Sequence, residues 1–257
     1  MNQTTNKVFN MSYNLFYGNT WCTYRVMSFE RGSYNDILNR IFEILIYTQQ
    51  KYSKVLTIQG ILHMPNGYDY NDTHVITRFF KSLNAKLYHQ YKKRVKYNQH
   101  ANAPGLHFLW VREIGKYGID EGKPHYHFCL FINGHAYSSL GKYDFCQATL
   151  FSKVVHAWQS ALEARFLQNP FVFSPSLVTF TQNGVKLLQR FQHDDPNMFN
   201  QFYGKDFREL FYRLSYFAKV DTKTINDGTR SFGSSRIPRN YEIVVPQYDT
   251  SGLDCLV

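Results

Sequence analysis

At 257 residues, 44% of them hydrophobic, the chain is long enough to bury a sizeable core as one α/β domain. No apolar run approaches the roughly 20 residues that span a bilayer. The opening MNQTTNKVFNMSYN has neither the apolar stretch nor the cleavage site of a secretion signal, so a soluble cytoplasmic protein with no membrane partner is expected. A net charge of +10, with 22 Phe, 20 Tyr and 3 Trp, suits phosphate neutralisation and stacking on single-stranded bases. Cys22, Cys129, Cys146 and Cys255 form no Cys-x-x-Cys pair, so neither a zinc knuckle nor a redox dithiol is suggested and free thiols are expected.

Three stretches organise the chain. Residues 1–50 read as an irregular segment followed by a helix that packs on the main domain, residues 51–236 as that domain, and residues 237–257 as a tail. Ile37, Leu38, Ile41 and Leu45 recur at helical spacing, which predicts a helix from Tyr34 to Gln50 with Ser33 as its N-cap. Val55, Leu56, Ile58, Ile61 and Leu62 predict a buried strand that stops at the turn signal Met64-Pro65-Asn66-Gly67. Asp72 to Tyr97 reads as a long helix. Its second half carries Lys86, Lys92, Lys93, Arg94 and Lys96 with no acid among them, which suits either a solvated face or a contact with DNA backbone.

Leu106–Ile114 and His125–Ile132 predict two strands, and the polar loop between them suits an antiparallel hairpin. Helices are expected from Leu150 to Phe166 and from Phe207 to Val220.

The candidate chemistry lies in the hairpin and the last helix. Alternation along a strand puts His125 and His127 on one face, about 7 Å apart along the chain, where two imidazoles can share a metal. Pro124 restricts Lys123 to extended geometry, and the apolar run FCLFI holds the strand in place. Two ordinary strand histidines are the plainer reading of that pair alone. Glu113 ends the preceding strand, however, and the hairpin folds it back beside them, as a two-histidine, one-carboxylate site would require. Asp120 and Glu121, in the loop, are the rival carboxylates for that site, and solvated loop residues are the plainer reading of both.

Tyr212, Tyr216 and Lys219 follow i, i+4 and i, i+3 spacing and would project from one helical face. Packing explains most such tyrosine pairs. A tyrosine nucleophile, with a phenol pKa of roughly 10, needs a nearby cation, and Lys219 one turn beyond Tyr216 would supply it. Tyr212 has Ser215 at that spacing, which leaves it to a second, later transfer or to packing.

The succession WVRE (Trp110–Glu113), a polar loop, KPHYHFCLF and then YFAK resembles the ordered motifs of the HUH-endonuclease replication initiators. More narrowly, KVLTIQGILHMP, LSYFAKVDTKT and RSFGSSR resemble the inovirus gene-two-protein-like family of filamentous phages, a likeness running from about Tyr34 to Arg236. The resemblance implies an α/β (α+β) fold whose central antiparallel sheet with flanking helices is the ferredoxin-like arrangement of HUH endonucleases. It implies that His125, His127 and Glu113 hold Mg²⁺ or Mn²⁺, that Tyr216 attacks the scissile phosphorus and that Lys219 assists. Tyr126 stands where many relatives carry an aliphatic residue.

The implied activity is rolling-circle initiation: nicking and rejoining of single-stranded and supercoiled origin DNA through a 5′-phosphotyrosine, with host helicase and polymerase as partners. A DNA-binding regulator that keeps the fold without cleavage is the alternative. A structural zinc protein fits less well, because no cysteine lies at zinc-ligand spacing from the histidines.

Overall fold

A computed structural model describes residues 14–165, 173–190, 204–221, 223 and 229–241. The chain opens with short antiparallel pairs, β1 (Leu15–Phe16) with β4 (Ser33–Tyr34) and β2 (Thr20–Trp21) with β3 (Tyr24–Arg25). Then follow α1 (Asn35–Lys51), β5 (Lys54–His63), α2 (Val75–Tyr97), β6 (His107–Ile114), β7 (Pro124–Asn133), α3 (Leu150–Glu163), β8 (Val178–Gln189), α4 (Lys205–Leu214) and β9 (Phe232–Ser234).

The last five strands form one antiparallel sheet in the order β8-β5-β7-β6-β9. From β5 to β8 the succession is β-α-β-β-α-β, the split arrangement of ferredoxin-like domains, with β9 added at the β6 edge.

Side-chain alternation sends each strand's residues into two cores. Leu56, Ile58, Tyr126, Phe128, Leu130 and Trp110 face α2 and α3. Val55, Cys129, Phe131, Leu109 and Val111 face α1 and α4. Coverage of both faces is why β7 reads as an unbroken apolar run rather than an alternating one. Gly60 permits one close approach, since a Cβ there would lie 2.6 Å from the Phe128 ring and from the Thr179 carbonyl, beside an irregularity in the β5–β8 pairing.

Several boundaries differ from the expectations. Ser33 pairs with Phe16 in β4 and does not cap α1, whose N-cap is Tyr34 with no side-chain capping bond. The second helix starts at Val75 rather than Asp72. The Asp72 carboxylate is engaged by Arg78, Tyr68 and the His74 amide, which holds residues 72–74 in a turn.

The last helix is not continuous to Val220. Its α-helical part ends at Leu214, and Ser215–Ala218 tighten into a 3-10 turn. There Ser215 Oγ donates to the Tyr212 carbonyl and accepts from the Met27 amide, so a side chain and a distant segment replace the next helical turn. Cys129 and Cys146 are free thiols among the described residues. Cys255, Phe166 and residues 242–257 of the expected tail lie outside the described residues.

Candidate active site

The hairpin register sets Glu113 of β6 directly opposite His125 of β7, and alternation brings His127 to the same face. That face is the one under α1 and α4. The Nε2 atoms of His125 and His127 are 3.2 Å apart. Glu113 Oε2 lies 3.4 Å from His127 Nε2 and 3.9 Å from His125 Nε2. One donor atom from each residue falls within 4.8 Å of the others. Two imidazole nitrogens this close must share a proton or a cation. Burial, and then the neighbouring His127, hold the His125 pKa below its usual value, which favours the neutral imidazole that a metal requires. The donor set therefore fits a divalent cation with coordination positions left open.

The 3-10 turn delivers Tyr216 to this cluster. Its hydroxyl donates to Glu113 Oε2 across 3.4 Å, and its ring lies 5.5 Å from that of His127. Burial and the adjacent carboxylate push the Tyr216 phenol up to about 12. Lys219 Nζ sits 5.4 Å from the Tyr216 ring centroid and 5.6 Å from that of Phe29. Tyr212 takes a different course. It belongs to the α-helical part, and its ring packs beneath the Arg25 guanidinium at 5.0 Å. The break at Ser215 thus separates two tyrosines that helical spacing had put on one face.

Four further residues complete the surroundings. His63, at the end of β5, pairs with His125 in register, so His63, His125 and Glu113 form one row across three strands. Its Nδ1 meets Asp120 Oδ2 at 2.8 Å and its Nε2 meets Thr179 Oγ1 at 3.0 Å. The Trp158 indole fixes the His63 carbonyl from α3.

Asp120 is not the solvated loop residue expected. The loop curls back because Gly115 lets the Asp120 backbone approach closer than any Cβ would allow, and Asp120 Oδ2 then lies 3.7 Å from His125 Nδ1. Lys223, fully buried, places Nζ 3.9 Å from Glu113 Oε1 and donates to the Lys219 carbonyl. Burial draws its pKa down to about 8 against the opposing pull of Glu113. Phe29 arrives with an N-terminal strap pinned by Met27 to Ser215, by Val220 to Gly32 and by the Ser33–Lys219 bridge.

Residues 18–235 match the model of the family described as YagK/YfjJ C-terminal domain. The chain belongs to that family. It is 29% identical over 208 residues to the uncharacterized protein YagK of Escherichia coli (strain K12), covering 77% of this chain and 91% of YagK. It is 38% identical over 170 residues to the uncharacterized protein YfjJ of the same organism, covering 64% of this chain and 72% of YfjJ. No solved structure matches the chain. The YagK/YfjJ span contains every residue of the cluster, from Phe29 in the strap to Lys223.

The basic residues of α2 stand apart from this cluster. Lys92, Lys93, Arg94 and Lys96 are exposed and Lys86 is partly buried, all on the helix layer behind the opposite face of the sheet. Arg94 turns inward, donating to the Ala136 carbonyl and lying 4.9 Å over the Tyr137 ring. Among the described residues no helix is long and apolar enough to cross a membrane.

Proposed function

We propose that this YagK/YfjJ-family chain cuts and rejoins single-stranded DNA, with Tyr216 as nucleophile and Glu113, His125 and His127 holding Mg²⁺ or Mn²⁺, in the manner of the HUH endonucleases its motifs resemble. The observation that carries the reading is the Tyr216 hydroxyl 3.4 Å from the carboxylate of a two-histidine, one-carboxylate cluster.

In the cleavage step the Tyr216 oxygen bonds to the scissile phosphorus as the bond from phosphorus to the 3′ oxygen breaks. The phenolic proton is released to solvent water, and the departing 3′ oxygen takes one from water. The product is a 5′-phosphotyrosine and a free 3′-OH, and reversal rejoins the strand. Burial and the Glu113 charge hold the proton on Tyr216 in the resting site. A bound divalent cation would offset the Glu113 charge and draw electron density from the phosphate. Lys219, seated between two aromatic rings, adds a fixed positive charge beside the developing phenolate, and Lys223 steadies the second Glu113 oxygen.

The biological role that follows is initiation of rolling-circle replication of a phage-like element in the host cytoplasm, the 3′-OH priming a host polymerase behind a host helicase. The deciding experiment incubates the protein and Mn²⁺ with labelled single-stranded oligonucleotides tiling the DNA around its own gene. A covalent adduct mapping to the Tyr216 peptide is expected. DNA binding without an adduct on any oligonucleotide favours the regulator that retains the fold and has no cleavage activity.

A further inference from the structure

The basic end of α2 lies at the far end of the sheet from Tyr216. The helix follows the end of β5 that carries His63, and its last turns reach Ala136, just beyond the other end of β7, through Arg94. From His125 to Asn133 the strand rises about 27 Å at roughly 3.4 Å per residue.

No residue of α2 beyond Leu87 is buried, and the helix contains no Asp or Glu. Lys86, His89, Lys92, Lys93 and Lys96 fall within about 120° of its circumference at 3.6 residues per turn, while Arg94 points to the domain. Positive charge also accumulates on α3. Lys153 is drawn down to about 8 by burial and by Arg94, and burial, Lys86 and Lys153 lower His156.

We propose that Lys86, Lys92, Lys93 and Lys96 form a second DNA surface, which grips the backbone of duplex DNA flanking the cut. The stripe lies on the solvent face of one helix with Lys92, Lys93 and Lys96 at three- and four-residue spacing, so it complements the regular phosphate rows of a duplex. That the duplex flanks a cut rests on the nicking reading above; duplex binding by the stripe does not.

The test compares the full chain with a Lys92→Gln, Lys93→Gln, Lys96→Gln variant, all three positions being exposed. Fluorescence anisotropy on a duplex of about 40 base pairs should show at least about tenfold weaker binding, and the slope of log affinity against log salt should fall by about 2 to 3. Adduct yield on a short single-stranded oligonucleotide should be unchanged. Wild-type duplex affinity and slope would overturn the proposal. So would an equal loss in a control Lys116→Gln, Lys142→Gln, Lys205→Gln variant, which would trace the effect to net charge alone. Failure of the wild type to form any adduct would sink the nicking reading and leave the duplex result standing by itself.

Discussion

The Tyr216 hydroxyl lies 3.4 Å from Glu113 Oε2, although the two residues are 103 positions apart in the chain. This bond is long, so its loss should cost little. Tyr216→Phe is expected to change unfolding free energy by less than about 1 kcal/mol in urea titration. The same variant should abolish the covalent DNA adduct. An adduct of normal yield mapping to Tyr212 would reverse the assignment.

The cluster should bind a cation with all three donors contributing. His125→Ala, His127→Ala and Glu113→Gln are each expected to weaken Mn²⁺ binding at least about tenfold in isothermal titration calorimetry. Their duplex affinity should stay close to wild type, because the α2 stripe is on the other layer. Undiminished Mn²⁺ affinity in all three would remove the metal assignment.

Asp120 hydrogen-bonds His63 and sets its negative charge 3.7 Å from His125 Nδ1, where it should favour a bound cation. Asp120→Ala should weaken Mn²⁺ binding by up to about tenfold, since it removes a negative charge beside the donors. Gly115→Ala should move binding in the same direction without touching any donor, since its Cβ would collide with the Asp120 backbone. If Gly115→Ala binds Mn²⁺ normally, the loop does not place that charge.

The hairpin was legible in the sequence because its signals are local: two apolar strands, one polar loop, and a period of two that places Glu113 opposite His125. The tyrosine turn was not. Its geometry depends on Ser215 accepting from Met27, 188 positions away, and no helical periodicity reports that contact. His63 was readable as a strand end, but its place beside His125 follows from β5 lying next to β7, which the order of elements along the chain does not dictate. Asp120 carries the composition of a solvated loop, and its inward turn depends on the backbone approach at Gly115. The charge of α2 was plain, whereas the layer on which it lies came only with the fold.

His107 gives an acid-side stability limit unrelated to the cluster. Buried against Tyr47, with no hydrogen-bond partner for either ring nitrogen among the described residues, it is pushed down to about 4 by burial and then by Lys51. A histidine whose folded pKa is depressed contributes fully above its unfolded value near 6.5, and that contribution is lost as pH falls towards 4. Between pH 7 and about pH 4.5 this amounts to roughly 2 to 3 kcal/mol. His107→Phe should therefore lose less stability over that interval than wild type in urea titrations at the two pH values. Equal losses would show that His107 protonates without penalty.

The N-terminal strap across the tyrosine turn also sets an order of completion during synthesis. Glu113, His125 and His127 belong to one hairpin and leave the ribosome together, whereas Tyr216 emerges much later and its turn docks on Met27 and Ser33, made well before the hairpin. Closing so long a loop is slow compared with forming a hairpin. A growing chain thus holds the three donors in place with no phenol beside them. Only a chain that has grown past Tyr216 can bring its hydroxyl to Glu113, so translation itself delays completion of the cluster.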